Sequence, residues 1–374
     1  MNDASNAPRA PQFAEPASLA KIEFRRTGAL AEFILNRPHA LNAFDDDMRR
    51  ILADEITRIA RNADVYIVAL TSASAKAFCA GGDVRRPVSE AKTDPAKVKR
   101  WFAAEYELNW QLDCFSKPSV SLIDGLCMGS GAGLTCYNTH RVAGEGYKWA
   151  MPETAIGLFP DVGVAHVLGR MPWGIGLYLG LTGEAIGRAD AHWLKLTTHC
   201  ISRAQFPRVL TALADCQPVD PLLDGLHERQ SEGPLQASAA MIEDLFTGDT
   251  LAEIVERLRR ASGASGDFAR QTLGMLNKRS PISLAITDAH IRAARTLDLR
   301  QTLIQDYRLA VRCLEGSDFF EGVRAALIDK DHAPKWRPSR LEDVSTAMRD
   351  AYFEPLGAGD LALPTRSEMQ AARV

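Results

Sequence analysis

The stretch 65–71, V-Y-I-V-A-L-T, is an almost unbroken run of apolar residues that is rich in β-branched side chains. Runs of this kind are typical of strands buried on both faces, as in parallel sheets. Two further strand-like segments, 30–35 and 119–124, are separated from it by segments in which apolar residues recur at helical spacing, 44–59 and 95–115. This alternation of strands and helices predicts an α/β fold that extends to about residue 200.

The chain has 374 residues, which is more than one hydrophobic core usually serves. Strand signals become fewer after residue 202, and from residue 281 onward three segments have an apolar helical face, 283–297, 300–315 and 318–328. We therefore predict five parts: a disordered lead-in (1–18), an α/β core (19–202), a mainly helical insertion (203–280), a helical C-terminal region (281–356) and a tail (357–374).

Composition and charge argue against several functional classes. The net charge is −3 and no sustained basic run occurs, so we expect neither nucleic acid nor an acidic membrane as a partner. No apolar run reaches the ~18–20 residues that span a bilayer. The seven cysteines are scattered without a C-x-x-C pair and the eight histidines lack zinc spacing, which predicts reduced thiols and no metal site. The first 18 residues resemble neither a signal nor a transit peptide, so we predict a cytoplasmic protein.

Two glycine-rich turns follow predicted strands: K-A-F-C-A-G-G-D (76–83) and D-G-L-C-M-G-S-G-A-G-L (124–134). The second lacks the third glycine of a dinucleotide-binding fingerprint, the Gly-Lys-Ser/Thr of a phosphate-binding loop and the first glycine of a nucleophile elbow. Two such turns at neighbouring strands could direct two backbone N–H groups at one oxygen, as in an oxyanion hole. Plain strand-to-helix turns are the alternative.

Two carboxylates, Glu153 and Asp161, occur in M-P-E-T-A-I-G-L-F-P-D-V-G (151–163), which otherwise consists mostly of apolar residues, Gly and Pro. Burial of a carboxylate is costly unless the group is paired or hydrogen-bonded, so this placement suggests a functional site. The simpler alternatives are that Asp161 caps the helical run 162–170 and that Glu153 lies in an exposed turn.

Several motifs together resemble the crotonase superfamily, the enoyl-CoA hydratase/isomerase fold, over roughly residues 21–356. They are N-R-P-H-A-L-N-A-F (36–44), A-F-C-A-G-G-D-V-R (77–85), K-P-S-V-S-L-I-D-G (117–125), G-S-G-A-G-L (129–134) and the acidic segment 151–163. E-Y-E-L-N (105–109), S-P-I-S-L (280–284) and E-G-V-R-A-A-L-I-D-K-D-H-A-P-K-W (321–336) look like one branch, the 3-hydroxyisobutyryl-CoA hydrolases. The resemblance implies a spiral of ββα units with a helical C-terminal region, and an acyl-CoA thioester as the substrate.

The resemblance also implies roles for individual residues. The N–H groups of Ala80 and Ser130 match the two oxyanion-hole positions, and Glu153 matches a catalytic glutamate. The second glutamate of the hydratases is replaced by Gly133, whereas Asp161 stands where hydratases generally have a small residue. Glu105 is expected beside the acyl pocket, and the remaining substrate-binding positions are Gly81, Gly82 and Asp83. Basic residues at 85, 86, 330, 335 and 337 either meet the CoA phosphates or form a solvated surface.

The activity implied is hydrolysis of 3-hydroxyisobutyryl-CoA, with 3-hydroxypropionyl-CoA as a second substrate, in valine breakdown. Glu153 would act as a nucleophile or as a general base, and Asp161 would orient the substrate hydroxyl or water. No cofactor is expected, because CoA is part of the substrate. The alternatives are an enoyl-CoA hydratase or isomerase and a non-catalytic acyl-CoA-binding protein. Relatives often form trimers, so a homo-oligomer is expected unless segment 203–280 blocks that packing.

Overall fold

The computed structural model describes residues 20–91 and 93–373. The predicted disordered lead-in, 1–18, lies outside this range. Among the described residues, strands form at β1 (Ile22–Thr27), β2 (Leu30–Leu35), β3 (Ile67–Ser72), β4 (Ala77–Cys79), β5 (Ser119–Ile123), β6 (Leu126–Met128), β7 (His140–Ala143), β8 (Lys148–Ala150), β9 (Ile186–Gly187) and β10 (His199–Cys200).

The helices in the first half of the described chain are α1 (Asp46–Ala60), α2 (Arg85–Glu90), α3 (Pro95–Cys114), α4 (Ser130–Thr135), α5 (Val164–Leu168), α6 (Trp173–Thr182) and α7 (Arg188–Trp193). Those in the second half are α8 (Phe206–Ala214), α9 (Val219–Leu226), α10 (Pro234–Ala237), α11 (Ala239–Leu245), α12 (Leu251–Arg260), α13 (Gly266–Leu276), α14 (Pro281–Ala294), α15 (Leu299–Glu315), α16 (Asp318–Val323), α17 (Thr346–Asp350) and α18 (Arg366–Ala371).

The strands form two sheets, with the orders β1-β2-β3-β5-β7-β10 and β4-β6-β8-β9. The strands from β3 to β8 form three successive pairs along the chain: β3–β4, β5–β6 and β7–β8. The first strand of each pair joins the first sheet, and the second strand joins the other. Pairing within these two sets is parallel, whereas β1–β2 and β8–β9 are antiparallel. The predicted spiral of ββα units with a helical C-terminal region is confirmed.

The second sheet determines where the functional segments meet. Because β4, β6 and β8 run parallel, their carboxyl ends lie at the same edge of the sheet. The chain continues from these ends into residues 80–83, 129–130 and 151–153 respectively. Three segments that are far apart in sequence are thereby brought to one place.

Strand β3, in the middle of the first sheet, is buried on both faces. Along β3, Ile67 and Ala69 pack in a cluster with α8 and α9, whereas Val68 and Leu70 face the main core on the other side. This burial explains why the stretch 65–71 lacks alternation of polar and apolar residues. The strand prediction for this stretch is confirmed, with observed bounds one or two residues later.

The structure corrects two expectations about local structure and shows where the tail lies. The glycine-rich segment 124–134 is not a plain turn, because it contains the strand β6 and the first turns of α4. The regular helix predicted for 318–328 ends at Val323 and continues as a π-helical turn, Arg324–Ile328. The tail packs on the core, where the Trp110 Nε1–H donates to the Pro364 carbonyl at 2.8 Å and Leu361 is buried.

The division into domains stays a prediction. In the described part of the chain, no helix is both long and apolar enough to cross a membrane. Residues 20–91 and 93–373 also contain no group of three or more His, Cys, Asp or Glu side chains placed to hold a metal ion.

Candidate active site

A cavity of about 680 Å³ opens at the shared edge of β4, β6 and β8. All the predicted site residues line it, and they are Ala80, Gly81, Gly82, Asp83, Glu105, Ser130, Glu153 and Asp161. Apolar side chains, among them Trp101, Phe102 and Leu158, form much of the remaining wall. A concave, mostly apolar pocket with a few polar groups is the usual form of a small-molecule site.

The first turn follows β4 and is fixed by the loop before α1. Phe44 N–H donates to the Gly81 carbonyl at 2.8 Å, and Asp83 N–H donates to the Phe44 carbonyl at 2.9 Å. The Ala80 N–H, however, donates to the Leu41 carbonyl at 3.1 Å. A substrate oxygen must therefore share this N–H with Leu41 or displace that carbonyl.

The second turn places Ser130 at the first position of α4. N–H groups in the first turn of a helix have no acceptor within the helix, so the Ser130 N–H is available to a ligand. The left-handed conformation in this turn falls on Gly129 (φ +49°), and Ser130 itself is not among the residues with positive φ. A serine is therefore accommodated here without backbone strain.

Gly129 also shows how closely the two turns and the first carboxylate converge. A Cβ atom at this position would lie 2.9 Å from Glu153 Oε1 and 3.3 Å from the Cα of Gly81. A Cβ at Gly82 would lie 3.1 Å from Ser130 Oγ. The backbone donors and the Glu153 carboxyl group therefore face one small volume.

Glu153 begins a short 3₁₀ turn, Glu153–Ile156, directly after β8, and its side chain is buried. Oε2 has no hydrogen-bond partner among the described residues. Burial raises the pKa of Glu153 to about 8. The interpretation of this residue as an exposed turn acid is wrong.

Asp161 is buried as well and accepts a hydrogen bond from the Tyr106 hydroxyl at 2.8 Å. Burial, followed by the negative charges of Glu153 and Asp306, raises its pKa well above the usual value for an aspartate. The helix that follows begins at Val164, and its cap residue is Gly163, with no side-chain cap. The interpretation of Asp161 as a helix cap is therefore wrong.

Glu105 lies on α3, and its carboxylate is almost fully buried against Arg49 of α1, whose Nε donates at 3.0 Å. The Arg49 guanidinium stacks over Trp101, 4.6 Å from the ring centroid. Glu105 is thus not an exposed acid of an amphipathic helix. Arg49 was missed from the sequence, although its position on the apolar face of α1, next to Met48, was a usable signal.

Asp83 is paired rather than free. Arg37 Nη2 lies 3.2 Å from Asp83 Oδ2, and Arg37 also lines the cavity, a contribution that the sequence did not reveal. Among the basic residues considered for CoA phosphates, Arg85 lines this cavity. Lys335 and Arg337 line a separate surface pocket.

The position that carries the second glutamate in hydratases is closed. A Cβ at Gly133 would lie 2.7 Å from Val162 Cβ and 2.8 Å from Asn109 Nδ2. Any side chain would collide with these groups, so the surrounding structure as well as the sequence excludes an acid at this position.

Comparisons with known proteins identify the family of this chain. The family model described as enoyl-CoA hydratase/isomerase matches residues 30–353. The chain belongs to the enoyl-CoA hydratase/isomerase family. Membership makes it an acyl-CoA enzyme of the crotonase superfamily, and the resemblance noted from the sequence is confirmed.

Within this family, the chain is 37% identical over 348 residues to the mitochondrial 3-hydroxyisobutyryl-CoA hydrolase of Xenopus tropicalis, an alignment that covers 90% of each chain. It is 36% identical over 352 residues to the protein of the same name from Homo sapiens, covering 91% of this chain and 90% of that one.

Solved structures of family members agree with the fold. A carnitinyl-CoA dehydratase from Mycobacterium thermoresistibile is 34% identical, with a TM-score of 0.86 over 91% of this chain and 98% of that one. An enoyl-CoA hydratase from Rhodobacter sphaeroides 2.4.1 is also 34% identical, with a TM-score of 0.86 over 92% of this chain and 100% of that one. These likenesses extend through the helical C-terminal region.

Proposed function

We propose that this protein is a thioesterase that cleaves 3-hydroxyisobutyryl-CoA, and also 3-hydroxypropionyl-CoA, to the hydroxy acid and free CoA. The observation that carries the proposal is the pair of buried carboxyl groups, Glu153 and Asp161, facing one cavity with the two backbone turns. The hydrolases that share 36–37% of its sequence support the choice of substrate.

In the proposed reaction the thioester oxygen accepts hydrogen bonds from the N–H groups of Ser130 and Ala80. It takes the place of the Leu41 carbonyl at Ala80. Both donors then stabilise the negative charge that develops on this oxygen, an effect worth about 10²–10³ in rate for one donor in other enzymes.

Glu153 can act in two ways. As a nucleophile, its carboxylate attacks the thioester carbon, CoA leaves as the thiolate, and water then hydrolyses the mixed anhydride to regenerate the carboxylate. As a general base, it takes a proton from the water that attacks the same carbon. Hydroxylamine added during turnover distinguishes them, since a hydroxamate on Glu153 requires the anhydride.

Asp161 is proposed to orient the 3-hydroxyl group of the substrate or the attacking water. The Tyr106 hydroxyl already donates to Oδ2 of Asp161, so Oδ1 is the oxygen left for this contact. Because burial and the neighbouring acid raise its pKa, this group remains protonated to higher pH than an ordinary aspartate. A neutral carboxyl group can donate as well as accept a hydrogen bond.

Hydration of an enoyl-CoA is the second candidate, since two similar solved structures are described as a dehydratase and a hydratase. Hydration in this superfamily uses two glutamates, and the closed position at Gly133 argues against it. A non-catalytic binding protein would not need two buried acids opposite the backbone donors.

The decisive experiment measures free CoA with a thiol reagent after addition of 3-hydroxyisobutyryl-CoA. We expect release of CoA by the wild type and a loss of about 10²–10⁴-fold in E153Q with unchanged CoA affinity. The matched control is the exposed Glu354→Gln. Loss of crotonyl-CoA absorbance without release of thiol would favour the hydratase instead, and equal turnover by E153Q would contradict the assigned role of Glu153.

The role in valine breakdown, the cytoplasmic location and the homo-oligomer stay predictions. The names of the related hydrolases place those proteins in mitochondria. Fractionation of the native host and light scattering of the purified protein test the last two predictions.

A further inference from the structure

The loop that carries Asp161 has an unusual backbone. Val162 (φ +52°) and Gly163 (φ +76°) are both left-handed and directly follow the aspartate. A β-branched residue rarely adopts this conformation, so Val162 is strained. Such strain persists only where surrounding contacts impose it, and it is concentrated at functional sites.

Two contacts hold this left-handed bend. The Tyr137 hydroxyl donates to the Val162 carbonyl at 2.5 Å. The Gly163 N–H donates to Asp306 Oδ2 at 2.6 Å. A Cβ at Gly163 would lie 2.2 Å from the Tyr137 hydroxyl oxygen, so only glycine fits between these supports.

Asp306 belongs to a buried pair that the reaction described above does not use. His290 Nε2, from α14, lies 2.5 Å from Oδ1 of Asp306 on α15. The two side chains are 1% and 0% exposed, and neither lines the active-site cavity. Burying a carboxyl group against an imidazole is weak grounds for stability by itself, so the role of the pair must be sought in what it positions.

The pair contacts the loop on both sides of Asp161. The His290 ring packs edge-on against Phe159, with 5.7 Å between ring centroids, two residues before the aspartate. Asp306 binds the backbone at Gly163, two residues after it. The contacts thus bracket the carboxyl group that faces the cavity.

We propose that Asp306 and His290 form a positioning pair that holds the left-handed bend at 162–163 and thereby directs Asp161 into the cavity. The inference rests on the proposed function, because the role of Asp161 is part of it. The pair acts through the loop and does not touch the substrate.

The first test replaces Asp306 with Asn. The amide of the introduced Asn can accept a hydrogen bond from the Gly163 N–H or from His290, but not from both, because its –NH₂ group then faces the other partner. We expect kcat to fall about 10²-fold with KM unchanged, the usual cost of a misplaced catalytic group. The matched control is Asp190→Asn, since Asp190 is also buried and accepts a backbone N–H, from Gln236 at 2.9 Å, but does not line the cavity.

A second pair of variants separates positioning from folding. H290Q keeps an N–H donor near the position of Nε2, whereas H290L removes it. We expect H290Q to retain at least about tenfold more kcat per folded molecule than H290L. This comparison decides the matter even if D306N does not fold. Equal kcat in H290Q and H290L, or kcat of D306N within about twofold of D190N, would overturn the proposal.

The pH profile provides a readout that a purely structural role would not move. The titratable groups that act on Asp161 are Tyr106, Glu153, Asp306 and Glu105. Removing the negative charge of Asp306 in D306N lowers the pKa of Asp161. The part of the pH dependence of kcat/KM that follows Asp161 should therefore shift to lower pH, while the rise set by Glu153 stays in place. D190N should leave both in place.

Failure of the proposed function gives a different result from failure of this inference. If the wild type releases no CoA from 3-hydroxyisobutyryl-CoA, the proposed reaction is wrong. Hydrogen exchange of the amides in 159–163 then tests the pair alone. Faster exchange in D306N and H290L than in D190N supports the positioning role, and equal exchange overturns it.

Discussion

Replacing Glu153 with Gln should lower turnover by about 10²–10⁴-fold and, at alkaline pH, stabilise the fold. Glu153 is buried, and Oε2 has no partner among the described residues, so its charged form is poorly solvated. Its pKa is about 8 in the folded protein, against an ordinary value of 4.5. Ionisation of the catalytic carboxyl group in the folded protein therefore costs stability.

The direction in which pH changes the free energy of unfolding follows from proton linkage. Below pH 4.5 the group is protonated in both the folded and the unfolded states, and it costs nothing. Between 4.5 and 8 the unfolded chain loses this proton and the folded chain keeps it, so the free energy of unfolding falls as pH rises. Each unit of pKa corresponds to 1.36 kcal/mol, so the loss is about 1 kcal/mol at pH 5 and about 5 kcal/mol at pH 8.5.

Urea unfolding of wild type and E153Q at pH 5 and pH 8.5 measures this difference. Gln has no proton to release, so E153Q should gain stability over the wild type at pH 8.5 and much less at pH 5. E354Q, which makes the same substitution at an exposed site, should follow the wild type at both values. A constant difference between E153Q and wild type across pH would refute the argument.

Three further predictions concern the same cavity. If attack requires ionised Glu153, kcat/KM of the wild type should rise about tenfold per pH unit below 8 and level off above it, in steady-state assays from pH 5.5 to 9. Gly129→Ala should lower kcat, because the new Cβ would lie 2.9 Å from Glu153 Oε1 on a left-handed backbone; a crystal structure would show the carboxyl group displaced. Arg49→Leu should destabilise the protein by about 3–5 kcal/mol in urea unfolding, since it leaves Glu105 buried without its cation. R49L/E105L should recover much of that loss.

The fold of the first half followed from patterns that are local in sequence. Strand β3 is buried on both faces, so its unbroken apolar run identified it, and α1 has one apolar face, so its helical periodicity identified it. Strands β6 and β8 have three residues each, too few for any period to appear. These short strands bring the functional segments to one edge, and the convergence could only be inferred from the resemblance.

In the candidate site, too, the sequence identified single residues but not the contacts between them. Glu153 and Asp161 stood out because acids are rare among apolar residues, Gly and Pro. Their partners did not, since Tyr106 and Asp306 lie 55 and 145 positions from Asp161 and nothing in the sequence joins them. The Ala80–Leu41 hydrogen bond was also unpredictable, because every residue has a backbone donor and only the folded loop selects its acceptor.

The placement of the C-terminal motifs explains why acids so near the middle of the chain depend on its end. The Ser280 N–H, in S-P-I-S-L, donates to the Thr154 carbonyl at 3.1 Å, next to Glu153. A Cβ at Gly322, in E-G-V-R, would lie 2.3 Å from the carbonyl carbon of Ile156, so α16 packs backbone to backbone on the turn that begins at Glu153.

The second acid is supported by the neighbouring helices, since α15 holds the backbone after Asp161 through Asp306. Each acid is therefore positioned by helices that follow residue 280, although neither acid belongs to them. A change in those helices that leaves the cavity wall intact should still alter the distance between the two carboxyl groups. The motifs at 280–284 and 321–336 accordingly bear on the chemistry without contributing a reacting atom.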